Sequence, residues 1–329
     1  MRLRIFLGLV ACVACVLPAA AAPQPARRVA IFFYPWYETP GHDGAWRHWT
    51  QNGARPPAMI ASNYYPARGV YSSADPNVLR AQMGDIARAG VDEVVISWWG
   101  RGSPEDVLLP LVVKSAHARG LDVGLHLEPY PHRTAASALK DLRYFQQLGV
   151  RDVFVYEAAL VPAEDWAQAL ESIDGLRVFA HTHLVGWALR AGFGGIYTYT
   201  NADPDDFKRV CAQARAAHLL CAPTVSPGFD ARRASHIYRV QPRRDGATYD
   251  TRWRAAVCAR ADLMTIASYN EWHEGTQIEP ASAAPPGARG TYRTYDGAYD
   301  LHGRAAERAY LTRTKYWVQR YRAGRGCAR

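Results

Sequence analysis

Short apolar, β-branched runs recur along the chain, and a helical pattern follows each of them. The runs Val29–Tyr34, Glu93–Trp98, Asp122–Leu127, Asp152–Tyr156, Arg177–His181, Gly195–Tyr199, Leu220–Val225 and Leu263–Ser268 read as strands. Between them Asn77–Ala89, Pro104–Arg119, Ala135–Leu148, Ala163–Ile173, Val185–Arg190, Pro204–His218 and Tyr249–Arg260 read as helices, and Arg304–Arg322 follows the eighth strand. Gly90, Gly120, Gly149 and Gly192 stand where helix C-termini want glycine. Eight strands alternating with helices predict an α/β fold, a single (β/α)8 TIM-type barrel, better than an open sheet. No internal repeat, low-complexity tract or linker divides it. The connection from Tyr37 to Asn77 is long and shows little helical pattern, yet it carries Trp46, His48, Trp49, Tyr64, Tyr65 and Tyr71. Loops of that length are usually functional or disordered. The aromatic content argues against disorder, so the loop is expected to wall one side of a cleft.

The first residues carry a different pattern. Met1-Arg2-Leu3-Arg4 is a short basic start, Ile5 to Val16 is apolar over a signal-peptide length, and Ala19 to Ala22 are small enough for cleavage. The expectation is a signal peptide over residues 1–22, a catalytic domain over 23–329, and export to a periplasm or beyond. Leu9-Val10-Ala11-Cys12 resembles a lipobox, so a lipoprotein anchored at Cys12 is the rival, although the apolar residues continue past Cys12. No other segment could cross a bilayer. The cysteines left after export, Cys211, Cys221, Cys258 and Cys327, are even in number. Cys211 could pair with Cys221 and Cys258 with Cys327; free buried thiols stay open. The net charge is +9, nearly all of the basic residues are Arg, and Asp and Glu are interleaved with them. That distribution describes a solvated surface rather than a nucleic-acid footprint. Adhesion to anionic cell-surface polymers stays open, and a monomer is expected.

In a barrel of this type the chemistry lies where strands end. Read in order, the exits carry Tyr34-Pro35-Trp36-Tyr37, Ser97-Trp98-Trp99, His126-Leu127-Glu128-Pro129-Tyr130, Tyr156-Glu157, His181-Thr182-His183, Tyr197-Thr198-Tyr199 and Ser226-Pro227-Gly228-Phe229-Asp230. The eighth is followed by Tyr269-Asn270-Glu271-Trp272-His273-Glu274-Gly275-Thr276-Gln277-Ile278-Glu279. Sugar rings have apolar C–H faces and many hydroxyls, so their sites combine aromatic platforms with acids, amides and imidazoles. Tyr34, Trp36, His48, Trp98, Trp99, His126, Glu128, Tyr130, Tyr199, Asn270 and Trp272 are the candidate substrate-binding residues. Glu271 and Glu274 are the candidate catalytic pair, since two carboxyls beside aromatic walls are the equipment of glycoside hydrolysis. Glu279 reads as structural. His126 and Glu128 could bind hydroxyls or tune a carboxyl pKa.

Other chemistries find less support. His273-Glu274 suggests the HExxH zinc signature, but Gln277 stands where the second His belongs. No CxxC pair survives in the exported part, no GxSxG nucleophile elbow is present, and no Gly-rich phosphate loop follows the first strand. No metal and no cofactor are expected.

The segment Tyr269 to Pro280 resembles the signature of glycoside hydrolase family 99, the endo-α-mannosidases and endo-α-mannanases. Further matching pieces occur in the family's order: Phe33-Tyr34-Pro35-Trp36-Tyr37, His48-Trp49, Tyr71 to Pro76, Ser97-Trp98-Trp99, His126 to Tyr130, Tyr197-Thr198-Tyr199 and Pro227 to Asp230. The resemblance implies a (β/α)8 barrel that cleaves internal α-mannosidic bonds with retention and needs no cofactor. It further implies that the carboxylate matching Glu271 deprotonates the sugar 2-hydroxyl, which attacks the anomeric carbon to give a 1,2-anhydro sugar. The carboxyl matching Glu274 would protonate the leaving oxygen and then activate water. The chain departs from the family at Thr200 to Pro204, a short segment where an aromatic and a Gly-Ser loop are usual, and at Ser226-Pro227-Gly228-Phe229. Both changes touch subsite walls. Another α-linked glycan as substrate, or a non-catalytic carbohydrate-binding barrel, are the alternatives.

Overall fold

The computed structural model describes residues 27–199, 203–288 and 290–327. The expected signal peptide, residues 1–22, and Cys12 lie outside the described residues.

The chain runs through β1 (Arg28–Phe33), α1 (Pro40–Asp43), α2 (Pro76–Arg88), β2 (Glu93–Trp98), α3 (Pro104–His117), β3 (Asp122–Leu127) and α4 (Ala135–Gln147). It continues through β4 (Asp152–Val155), α5 (Ala163–Leu170), β5 (Arg177–His181), α6 (Val185–Arg190), β6 (Gly195–Tyr197), α7 (Phe207–Ala216), β7 (Leu220–Ala222) and β8 (Thr224–Val225). A short hairpin of β9 (Phe229–Asp230) and β10 (Val240–Gln241) precedes α8 (Ala247–Cys258), β11 (Leu263–Ile266) and α9 (Ala309–Arg322). Asp75, Ser103 and Thr134 cap α2, α3 and α4 by accepting backbone N–H groups of their first turns. The four glycines expected at helix ends have φ of +82, +70, +76 and +74°.

The strands lie in the order β7-β6-β5-β4-β3-β2-β1-β11-β8, all parallel. β7 and β8 are two halves of the expected seventh strand, separated only by Pro223. Proline has no N–H to give to a ladder. The strand therefore pairs with β6 in its first half and with β11 in its second. The N–H groups of Asp262, Thr265 and Ala267 donate to Cys221, Pro223 and Val225 at 3.0, 3.3 and 3.0 Å, which closes the barrel.

Side chains alternate across the barrel wall with period two. Ala30, Phe32, Tyr34, Val95, Phe154, Phe179, Tyr197 and Tyr199 fill the interior. Val29, Ile31, Phe33, Val94, Ile96, Leu125 and Val153 pack outward against the helices. Inside, Phe154 stacks on Phe179 with centroids 4.8 Å apart, and a Cβ on Gly195 would sit 2.5 Å from the Phe179 ring. The interior is thus a packed column that floors the rim above it.

Two differences from the sequence expectation have local causes. The helix expected over Pro204–His218 opens with a 3-10 turn, Pro204–Asp206, before α7. The last helix is likewise shortened to α9 by a 3-10 segment, Gly303–Arg308. The two-residue strands of the hairpin are too short to leave a pattern.

Cys211 pairs with Cys221 and Cys258 with Cys327, at sequence separations of 10 and 69. On chain-entropy grounds the long loop gains more: about 4 kcal/mol against about 3 kcal/mol. Replacing Cys258 and Cys327 together by Ala is therefore expected to cost more stability than the Cys211/Cys221 replacement. Urea unfolding of the two double variants checks this, and the reverse order would go against a denatured-state origin.

Candidate active site

The acidic loop that follows β11 is pinned at both ends. Tyr269 N–H donates to Phe32 O at 2.8 Å, Ser268 N–H to Thr276 O at 3.0 Å, and Glu279 N–H to Tyr269 O at 2.8 Å. Asn270 is fully buried and its amide grips the Tyr34 backbone from both sides, accepting from N–H at 2.8 Å and donating to O at 2.9 Å. Arg243 supports the loop from outside: its Nη2 donates to Gly275 O and Gln277 O at 2.9 and 2.6 Å, and its guanidinium lies 4.5–4.8 Å from the rings of Tyr64, Tyr295 and Tyr310. The loop is thus held by both the first strand and the barrel's outer layer.

Glu279 is the keystone of that support. It is completely buried, pairs with Arg68 at 2.8 Å, and accepts from Tyr71 Oη, Gln82 Nε2 and Trp272 Nε1 at 2.8, 2.9 and 3.0 Å. Removing one partner of a buried pair leaves the other charge uncompensated. Glu279→Ala is expected to cost about 3–5 kcal/mol of stability, measured by denaturant unfolding. A loss below ~1 kcal/mol would deny Glu279 this role.

Glu271 and Glu274 both rise from this loop at the C-terminal mouth of the barrel. Burial, and next the neighbouring Glu274, push the Glu271 carboxyl well above its usual range, while the backbone N–H groups of His273 and Glu274 pull it back. The first of these bonds, His273 N–H to Glu271 Oε1, is 2.9 Å long. Glu274 is pushed up to about 8 by burial and by the Glu128 carboxylate, opposed by Arg239. Its Oε2 is buried and has no hydrogen-bond partner. Two such carboxyls titrate as a pair. The negative charge belongs on the acid that accepts two N–H groups, Glu271, and the proton on the acid that lacks donors, Glu274.

Around the acids the described residues form a polar floor and an aromatic wall. Glu128 accepts from Ser97 Oγ at 2.8 Å and lies 2.9 Å from His126 Nδ1, while His126 Nε2 meets Tyr197 Oη at 2.8 Å. The Tyr34 and Tyr199 hydroxyls are hydrogen-bonded to each other. Trp36 continues the wall, 4.8 Å from Tyr34 and stacked on His48 at 4.4 Å. His273 joins this stack 5.6 Å from His48 and donates from Nε2 to the His48 carbonyl. Burial and the mutual proximity of the imidazoles hold His48 near 3, and burial holds His273 near 4, so both rings are uncharged at neutral pH. Among the described residues no group of three or more His, Cys, Asp or Glu side chains is arranged to hold a metal ion. No described helix is long and apolar enough to cross a membrane.

The structure gathers Tyr34, Trp36, His48, His126, Glu128 and Tyr199 around the two acids, and leaves Trp99 36 % exposed on the rim with its Nε1 donating to Ser97 Oγ. Four expected binding residues lie elsewhere. Trp98 has the outward parity of Val94 and Ile96; it is fully buried against Phe145 and donates to Asp106 at 2.8 Å. Tyr130 turns away after Glu128 and bonds Ser137 and Asp141 on α4. Trp272 is fully buried, bonded to Tyr71 and Glu279. Asn270 serves the Tyr34 backbone. Conversely Tyr156, 4.6 Å from His181 in a stack, belongs to the floor, and so does Tyr197. Both share the inward parity of Phe154 and of Gly195. The long loop divides its rings: His48 stacks on Trp36 at the site, while Trp49, Tyr64 and Tyr71 are core.

The model of glycosyl hydrolase family 99 matches residues 26–323. A glycoprotein endo-alpha-1,2-mannosidase-like protein of Danio rerio is 31 % identical, covering 89 % of this chain and 78 % of that one. A glycoprotein endo-alpha-1,2-mannosidase of Xenopus laevis is 29 % identical, covering 91 % and 78 %. The solved structure of the GH99 endo-alpha-mannosidase from Bacteroides thetaiotaomicron is similar with a TM-score of 0.81 at 28 % identity, covering 91 % of this chain and 98 % of that one. With a (β/α)8 barrel carrying two inequivalent buried carboxyls at its mouth, and a family match over nearly the whole described chain, this protein belongs to glycosyl hydrolase family 99.

Proposed function

We propose that the chain is an endo-acting hydrolase of internal α-mannosidic linkages that retains anomeric configuration by two successive inversions. The observation that carries the division of labour is the unequal hydrogen bonding of Glu271 and Glu274. Glu271, as carboxylate, takes the proton of the sugar 2-hydroxyl. The 2-oxygen bonds to the anomeric carbon as the bond to the leaving oxygen breaks, and that oxygen takes the proton of Glu274. The product is a 1,2-anhydro sugar and a shortened glycan. Glu274, now ionised, takes a proton from water, whose oxygen bonds to the anomeric carbon and opens the three-membered ring. The 2-oxygen recovers its proton from Glu271. Trp36, Trp99, Tyr34 and Tyr199 offer the apolar sugar faces a platform, and His126 and Glu128 offer hydroxyls their partners. One chain supplies every group named, so the reading needs no second copy.

The test is incubation with α-mannans and α-glucans, with products separated by chromatography. Internal cuts in α-mannan support the proposal; cleavage only of α-glucan, or release only of terminal sugars, goes against it. A pH profile adds a second check. Because Glu274 must start protonated, kcat/KM is expected to fall as pH rises through about 8. Glu128→Gln removes the charge that helps keep that proton on, so the falling limb should move to lower pH. An unmoved limb would take Glu128 out of this role.

The same reading includes export with cleavage near Ala22, supported by the two disulfides among the described residues. Mass spectrometry of the mature N-terminus decides, and a diacylated Cys12 would replace the soluble form by a lipoprotein.

A further inference from the structure

His273 stands between the two acids in the chain, and the mechanism gives it no part. Its backbone N–H donates to Glu271 Oε1 at 2.9 Å, and its ring nitrogen Nδ1 lies 3.4 Å from the same oxygen. The other ring nitrogen, Nε2, meets the carbonyl of His48. A carbonyl only accepts, so Nε2 carries the proton. Burial holds the ring at about 4, so it is neutral at pH 7. A neutral imidazole has one N–H, and Nδ1 therefore turns a bare lone pair toward Glu271.

This tautomer is built into the fold. His48 has φ of +62°, a left-handed backbone uncommon outside glycine, and from that turn its carbonyl meets His273. The His48 ring stacks on Trp36 at 4.4 Å, and Gln51 Nε2 donates to its Nδ1 at 2.8 Å. Trp36 and Tyr37 each lie 5.7 Å from the His273 ring, whose side chain is only 13 % exposed. The imidazole is thus held in one orientation.

The two contacts act on Oε1 in opposite senses. A backbone N–H fixes the atom but also stabilises its negative charge. A second donor there would turn the carboxylate into a weak base. A lone pair at that distance penalises the charge instead, and the penalty lifts once the carboxyl has gained a proton.

We infer that His273 is a positioning residue for the base: the His48 carbonyl keeps the ring proton on Nε2, and the bare Nδ1 holds Glu271 fixed yet ready to take the proton of the sugar 2-hydroxyl. The inference rests on the α-mannosidic reading above and gives that site a residue that acts through Glu271. The proton stays on Glu271 until the 2-oxygen recovers it, and His273 neither gains nor loses one. Among the described residues Glu274 on the same loop, Glu128 after β3, Tyr34 and Tyr37 after β1 and Tyr199 after β6 also act on Glu271. Each is unchanged in variants at position 273.

The experiment measures pH profiles of kcat and kcat/KM on α-mannan oligosaccharides for His273→Asn and His273→Gln. An Asn amide takes the place of Nδ1 and turns an N–H to the carboxylate. A Gln amide takes the place of Nε2 and keeps the bond to the His48 carbonyl. Because kcat/KM rises with pH as Glu271 ionises, a donor that stabilises the carboxylate moves this rising limb to lower pH. His273→Asn is expected to move it down and to lower kcat by about tenfold with KM little changed, while His273→Gln keeps the limb closer to that of the wild type. An unmoved limb in His273→Asn, or the same limb in both variants, would overturn the inference. If the wild type cleaves no α-mannan, the α-mannosidic reading fails instead. In that case, or if His273→Asn does not fold, nitrogen-15 NMR of the full wild-type chain decides the inference alone, with the His273 signals assigned by their loss in His273→Gln. A protonated Nε2 and a bare Nδ1 at neutral pH support it, and a proton on Nδ1 rejects it.

Discussion

Replacing Glu274 by Gln is expected to lower hydrolysis of unactivated α-mannan by about 10²–10⁴-fold, the range for loss of a general acid. The leaving oxygen of a sugar is a poor leaving group, and the amide has no proton of suitable acidity to give it. The same variant should be much less impaired on an aryl glycoside whose leaving group departs unprotonated. The contrast separates an acid from a residue that merely shapes the loop. A structural defect would slow both substrates alike. The falling limb near pH 8 should also vanish from the aryl-substrate profile of this variant, since the group that produces it is gone. Equal losses on both substrates would reject the assignment of Glu274 as acid.

Glu271→Gln is expected to be severe on both substrates, by the same ~10²–10⁴-fold or more, because no group then draws the proton from the 2-hydroxyl. An activated leaving group cannot bypass that step. Substrates deoxygenated or methylated at the 2-position should bind the wild-type protein and resist cleavage. Binding to the variant should change little, since the carboxylate makes its essential interaction only as the reaction proceeds. Turnover of the aryl glycoside is the decisive measurement, with binding followed separately. Near-wild-type turnover by Glu271→Gln would return this residue to a structural part, bonded to His273 N–H.

The barrel, its closure on β1 and the position of both acids were legible from the spacing of apolar runs and from the acidic stretch after the last of them. What was misjudged followed from strand parity. In Ser97-Trp98-Trp99 a sequence-level argument that takes the aromatic pair as one unit puts both rings on the rim. The pleat sends Ser97 and Trp99 to the inner side and Trp98 to α3 and α4. Counting in twos from Val95, Phe154 and Gly195 would have separated Trp98 from Trp99 and added Tyr156 and Tyr197 to the floor. Trp272 and Asn270 were out of reach of that count. They lie in an irregular loop whose side chains are directed by Tyr34, Tyr71 and Glu279, partners up to 236 residues away. Arg243 and Arg239 carried no local signal either, being two among many scattered arginines. The turn after β10 brings Arg243 to the acidic loop.

The union of the first strand with the last has a consequence for the order in which the molecule is made. Asn270 holds the Tyr34 backbone, Tyr37 Oη meets Asn270 O and Trp272 N–H at 3.1 Å each, and His273 reaches the His48 carbonyl. Half of the wall is therefore synthesised among the first residues of the barrel and the acids among the last. While a ribosome is still short of residue 263, the Trp36–His48 stack lacks His273, β1 has an open edge, and neither Glu271 nor Glu274 exists. Any chain interrupted before β11 lacks both acids and the strand that joins β1 to β8. The mouth of the barrel is assembled in one event, when the end of the polypeptide finds its beginning.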